Sequence, residues 1–245
     1  MTPSEERKLK TIILESVMLC INEMQNRIDN FNRISKYLQF NNPEDDFYFV
    51  QIIKRLKDNP HDDKRQGNYR NGSWYLKSYR IKSAEQLEQL KPEIVDICEK
   101  NNARAYMCVN PRSQKETEER VKFIKQTKPW ATNVEDRVAG EAKDGYSWKG
   151  KRQRLVIDID TDNKRVWSEV HHILDMCGIT VMDEYETPSG GLHIIIPNKE
   201  ERNFDYAKSL FKKFDRGRDL GRNATVHPNP DAKIVLYSNT KTKGY

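Results

Sequence analysis

Two short segments constrain this chain more than any other feature. One runs Leu155, Val156, Ile157, Asp158, Ile159, Asp160, and the other Leu192, His193, Ile194, Ile195, Ile196. Side chains alternate across a strand with period two. In the first segment Leu155, Ile157 and Ile159 share one face, while Val156, Asp158 and Asp160 share the other. In the second, Leu192, Ile194 and Ile196 share a face and His193 takes the opposite one. Helices laid over the two aliphatic sets leave both carboxylates and the imidazole together on the uncovered side.

The flanking sequence supplies those helices. Residues 165–177 carry Trp167, Val170, Leu174 and Cys177 at helical spacing, with Gly178 as the stop. Ile179 to Tyr185 reads as a strand, and Ser189, Gly190 and Gly191 as a turn. Residues 204–216 place Phe204, Ala207, Leu210, Phe211 and Phe214 on one helical face, and Lys233 to Tyr237 reads as a last strand. The order is β-α-β-β-α-β, the split βαβ or RRM-like arrangement, with first and third strands adjacent at the sheet centre. The fold class is therefore α+β.

Upstream, the spacing predicts a long helix over 4–38 with Ser4 as N-cap, and a second over 45–57 on Phe49, Ile52, Ile53 and Leu56. A third helix is expected from Pro92 to Lys100, a strand from Arg104 to Asn110, and a helix over 115–127. Residues 128–153 read as irregular. The organisation expected is a mainly helical N-terminal extension, 1–100, before a core at 101–245.

The chemistry follows from the convergence. Two carboxylates at i and i+2 repel each other unless a cation sits between them. Mg²⁺ or Mn²⁺ fits an all-oxygen site and keeps coordination positions for water and phosphate oxygens. The glycines of the 189–191 turn are suited to presenting backbone N–H groups to a triphosphate, and His193 to meeting a phosphate. A formal net charge of +6 favours a polyanionic partner. The basic run Lys149, Lys151, Arg152 and Arg154 is a candidate nucleic-acid contact. Tyr69, Trp74, Tyr75 and Tyr79, interleaved with basic residues, read either as a single-strand stacking surface or as a small satellite core. Cys20, Cys98, Cys108 and Cys177 form no CxxC pair and read as free thiols in a reducing compartment. No run of about 18 apolar residues is present and the N-terminus has no signal-peptide core, so a cytoplasmic protein without membrane partners is expected.

Three segments resemble the archaeo-eukaryotic primase superfamily, in particular the small primase-polymerases of viruses, phages and mobile elements. Tyr106 to Arg112 is similar to the family's early strand ending in Asn-Pro-Arg. Val156 to Asp160 is similar to its hydrophobic-Asp-hydrophobic-Asp motif, and Ser189 to His193 to its Ser/Gly-rich turn ending in histidine. The resemblance implies an RRM-like primase-polymerase core with template-directed DNA or RNA synthesis from nucleoside triphosphates. It implies Asp158 and Asp160 as catalytic metal ligands. Ser189, Gly190, Gly191, His193 and Arg112 become the nucleotide-binding residues. Single-stranded or primed DNA is the expected partner, with replication proteins such as a helicase beside it. Host-cell cytoplasm is implied for a viral chain.

This sequence departs from the pattern twice. The turn-to-histidine motif is one residue tighter than the common form. No acid aligns cleanly with the family's third motif, for which Asp231 or Asp219 is the candidate, and His227 lies close by. A catalytically reduced nucleotide- or nucleic-acid-binding protein is therefore an alternative. A metal-dependent nuclease or replication initiator on a similar sheet is another.

Overall fold

The computed structural model describes residues 27–62, 72–140, 154–197 and 233–239, with shorter pieces at 5–6, 8, 10–15, 207, 209–211 and 226–229. The fold is α+β, built on two antiparallel sheets.

The larger sheet contains β1 (Ile28–Asp29), β2 (Asp46–Arg55), β3 (Ser73–Ile81), β4 (Arg104–Cys108), β5 (Arg112–Ser113) and β10 (Lys233–Ser238), in the order β1-β10-β4-β2-β3 with β5 on the end of β2. Its centre corrects the sequence reading, because residues 45–57 are not helical: β2 occupies 46–55. Phe47, Tyr48, Phe49, Val50, Ile52 and Ile53 are all buried, so this strand is covered on both faces. A strand buried on both faces shows no period-two alternation, and its apolar run then mimics a helical stripe. Its aromatic and β-branched content was the better guide.

The expected helix over 4–38 is also interrupted. Residues 10–15 are helical, but β1 and the short α1 (Phe31–Ser35) occupy the later part. Ser4 lies outside the described residues. The segment 1–100 is thus no helical extension, since it supplies β1, β2 and β3 to a sheet completed by β4 and β10. The helix expected from Pro92 begins earlier: α2 spans Ala84–Asn101, is capped by the Ser83 hydroxyl and carries Pro92 inside. Burial of Leu87, Ile94 and Cys98 on one face holds it together across the proline. One face of the larger sheet packs on α1 and α2 through Tyr48, Val50, Ile52, Ala105, Met107 and Leu236. The other face is covered over only part of its area. There α3 (Gln114–Thr127) leads to α4 (Val134–Gly140), and Ala139 of α4 packs on Phe47, Phe49 and Cys108.

The smaller sheet contains β6 (Arg154–Ile159), β7 (Asp183–Glu186), β8 (Leu192–Pro197) and β9 (Val226–Asn229), in the order β7-β8-β6-β9. Helix α5 (Lys164–Met176) links β6 to β7, and residues 207 and 209–211 are helical between β8 and β9. The two central strands are thus the two alternating segments. Leu155, Ile157, Ile159, Leu192, Ile194 and Ile196 pack under Val166, Val170, Ile173, Leu174 and Phe211, as the alternation requires. Gly178 ends α5 region with φ 65, its neighbour Ile179 bonding back to the Leu174 carbonyl. The fourth strand differs from expectation. Residues 226–229 fill that edge, and 233–238 cross to the larger sheet. Pro228 hid this strand from the sequence reading, but an edge strand tolerates proline.

The two sheets are joined by buried polar contacts. Asn110 Nδ2 donates to the Arg154 carbonyl at 2.8 Å, and the Arg154 N–H donates to Asn110 Oδ1 at 2.9 Å. Tyr37, just after α1, donates its hydroxyl to Asp183 Oδ2 at 2.6 Å, and Arg33 pairs with the same carboxylate. Val156, Tyr185 and Ile195 complete the larger sheet's core. Among the described residues, the Asp158 end of the smaller sheet's other side lines a cleft. Cys98 and Cys108 are buried free thiols, Cys177 is half-buried, and no described helix is long and apolar enough to cross a membrane.

Candidate functional site

Register brings the acid and the imidazole together. Asp158 pairs with His193 across β6 and β8, and His193 Nε2 lies 3.1 Å from Asp158 Oδ1. The His193 side chain is 8% exposed and that of Asp158 30%, so the pair stands at the floor of the cleft with the carboxylate outward. His193 Nδ1 is buried without a hydrogen-bond partner among the described residues. Asp160 lies just beyond the end of β6 and is exposed. On its other side Asp158 is register-paired with His227 of β9.

The facing wall comes from the larger sheet. The cleft has a volume of about 390 Å³. Asp158, Asp160, His193 and Ser189 line one side; Arg55, Lys57, Arg104 and Lys233 line the other. Two carboxylates thus face four cations. Arg104 forms an almost fully buried ion pair with Asp58, which anchors the 3-10 turn Leu56–Asp58 to the start of β4. That turn carries Lys57, whose Nζ donates to Ser189 Oγ at 2.8 Å. Partial burial in the cleft lowers the pKa of the Lys57 ammonium, the Arg104 charge lowers it further, and Asp58 and Asp160 oppose the shift. Lys233 is held by Gln51 Oε1. A larger hollow of about 480 Å³ lies beside α3 and α4, lined by Glu118, Lys122, Lys125 and Glu135. Its charges are scattered and no reactive groups converge there, so the smaller cleft is the candidate site.

The 187–191 turn is built differently from the sequence reading. The Gly190 N–H donates to the Thr187 carbonyl at 3.0 Å, and the Gly191 N–H to Thr187 Oγ1 at 3.0 Å. Both N–H groups close the turn itself and do not point to a ligand. Gly190 adopts φ 85. A Cβ on Gly191 would lie 2.2 Å from the Ile159 carbonyl oxygen. The glycines therefore let the turn lie against the end of β6, and Ser189 is what it presents to the cleft.

Other expected residues are elsewhere. Arg112 is 1% exposed, with Nε on the Ala139 carbonyl and Nη2 near Cys108 Sγ. It holds α4 and does not line the cleft. Arg154 is 2% exposed and donates to the carbonyls of Val109 and Tyr37, so it is no phosphate contact. Lys149, Lys151, Arg152, Asp219 and Asp231 lie outside the described residues. The cationic wall was missed. Arg104 and Lys233 sit in strands the sequence identified, and Arg55 and Lys57 end the segment misread as a helix.

The donors at Asp158 and Asp160 fit a hard divalent cation. They offer carboxylate oxygens two positions apart on a strand end that lines a cleft, where other oxygen ligands would have to complete the shell. Among the described residues no three or more His, Cys, Asp or Glu side chains gather into a closed metal set. The fit is therefore to an open site. The chain matches no family model, no curated protein and no solved structure.

Proposed function

We propose that this chain is a metal-dependent nucleotidyltransferase of primase-polymerase type, joining nucleoside triphosphates on a DNA template. One observation carries the reading: the Asp158–His193 pair and Asp160 face a cationic wall across a nucleotide-sized cleft. A triphosphate needs cations along its length, and nucleotidyl transfer needs carboxylates where the α-phosphate reacts; the cleft offers both. Mg²⁺ or Mn²⁺ on Asp158 and Asp160 would supply charge neutralisation and activation of the attacking hydroxyl. Lys57, Arg55 and Lys233 meet phosphate oxygens, and Ser189 orients Lys57. The order β7-β8-β6-β9 supports an RRM-like core of the kind the primase resemblance implies.

The test is extension of single-stranded and primed DNA with labelled dNTPs or NTPs and Mg²⁺ or Mn²⁺. Products from wild type, lost in the Asp158→Ala/Asp160→Ala protein, support the reading. Products that survive the double substitution overturn it. A second reading, nucleotide binding without joining, is favoured by the residue opposite Asp158 on β9, which is His227 and not an acid. Nucleotide binding without product under both metals would select it.

A further inference from the structure

Among the described residues, α4 covers one face of the larger sheet only in part. Next to the area covered by Ala139 of α4, the same face turns toward the cleft and carries Ile53, Arg55, Tyr75 and Tyr106. Register aligns them: Ile53 pairs with Tyr75 on β3 and with Arg104 on β4, and Gln51 pairs with Tyr106. Tyr75 is 56% exposed although it sits mid-strand at the cleft wall, and among the described residues its hydroxyl has no hydrogen bond. Tyr106 is half-buried, with the Arg55 guanidinium carbon 5.7 Å from its ring centroid.

We propose that this face is a stacking platform for an unpaired base of a single-stranded nucleic acid, with Tyr75 as the stacking ring, Arg55 as its cationic flank and Tyr106 as the ring beneath that cation. The inference rests on the nucleic-acid reading of the same cleft and names where the strand lies. Aromatic rings interleaved with cations are the chemistry that holds single strands, because every base has a π face and the cations meet the backbone. The charge on this wall selects a polyanion over an apolar ligand. Tyr75 stands on the larger sheet, while Asp158 and His193 stand on the smaller one, and a ring on that wall suits a template base better than the base of a nucleotide held at the acids.

The test uses the full chain and a fluorescein-labelled oligothymidylate, with EDTA present so that metal-dependent nucleotide binding does not contribute. Tyr75→Ala is expected to weaken oligonucleotide binding about tenfold, the effect of losing one base–aromatic stack. Tyr75→Phe is expected to retain binding, because it keeps the ring. Nucleoside triphosphate binding with Mn²⁺ is expected to be unchanged by Tyr75→Ala. Unchanged oligonucleotide affinity in a Tyr75→Ala protein with native circular dichroism overturns the proposal. So does a loss confined to nucleotide binding, or an equal loss on blunt duplex of the same length. Failure of the enzymatic reading is separable: wild type that extends nothing but binds oligothymidylate through Tyr75 keeps the platform and discards the activity.

Discussion

Lys57 Nζ donates to Ser189 Oγ at 2.8 Å, and this single hydrogen bond spans the cleft from the edge of one sheet to the turn of the other. On the nucleotidyltransferase reading proposed above, phosphate oxygens pass this ammonium, so Lys57→Ala is expected to weaken triphosphate binding about tenfold, the size of one charge-assisted hydrogen bond. The pH dependence has a definite sign. Desolvation in the cleft and the nearby Arg104 charge lower the Lys57 pKa, so the ammonium loses its proton at a lower pH than an ordinary lysine does. Nucleotide affinity then falls as pH rises through that lowered value, below the lysine range of about 10.4. Lys57→Arg keeps its charge and is expected to flatten the profile. Titration calorimetry with a non-hydrolysable triphosphate across pH 7 to about 10 measures both.

Gly191 lies against the backbone of β6. An added Cβ would sit 2.2 Å from the Ile159 carbonyl oxygen, and backbone cannot yield as a side chain does. Gly191→Ala is expected to destabilise by about 2–4 kcal/mol and to displace Ser189 from Lys57. Gly190→Ala, strained by φ 85, is expected to cost about 1 kcal/mol. Urea unfolding compares the two, and nucleotide binding by the folded fraction reports the displacement.

Asn110 pairs both its amide groups with the Arg154 backbone and is 1% exposed. Its role is to dock β4 on β6. Asn110→Ala leaves a buried N–H and a buried carbonyl unpaired, so a loss of about 2–4 kcal/mol is expected in chemical denaturation. Asn110→Asp, which keeps an acceptor but not the amide donor, is expected to recover only part of that.

Asp183 ties α1 to β7. Burial alone would raise its pKa, but hydrogen bonds from Tyr37, the Glu184 N–H and Arg33 hold it below the usual carboxylate range. A carboxylate depressed in the folded state contributes stability above its unfolded pKa of about 3.9 and loses it as pH falls through the lower folded value. The urea midpoint of Asp183→Asn is therefore expected to fall below wild type at pH 6 and to converge with it near about pH 2.

What the sequence disclosed follows from how each strand is buried. β6 and β8 bury one face under helices, so alternation exposed Asp158 and His193 directly. β2 is buried on both faces, and its apolar run carried no period-two signal. The loss propagated: with β2 misread, Arg55 and Lys57 had no wall to stand on, and the bare face bearing Tyr75 was invisible. Arg154 closes a basic run and reads as a surface residue, yet its guanidinium is spent on Val109 and Tyr37 carbonyls. Only the packing of two sheets reveals such a use of arginine. The 187–191 turn was legible as a turn, but its internal hydrogen bonds to Thr187 were not.

The proposed nucleotidyl transfer depends on Asp158 and Asp160. The most direct measurement is template-dependent pyrophosphate release from a nucleoside triphosphate with Mn²⁺, comparing wild type with the near-isosteric Asp158→Asn/Asp160→Asn protein. We expect release by wild type and a fall of at least about a hundredfold in a variant that keeps the wild-type circular dichroism. Release by the variant at the wild-type rate would contradict the proposal.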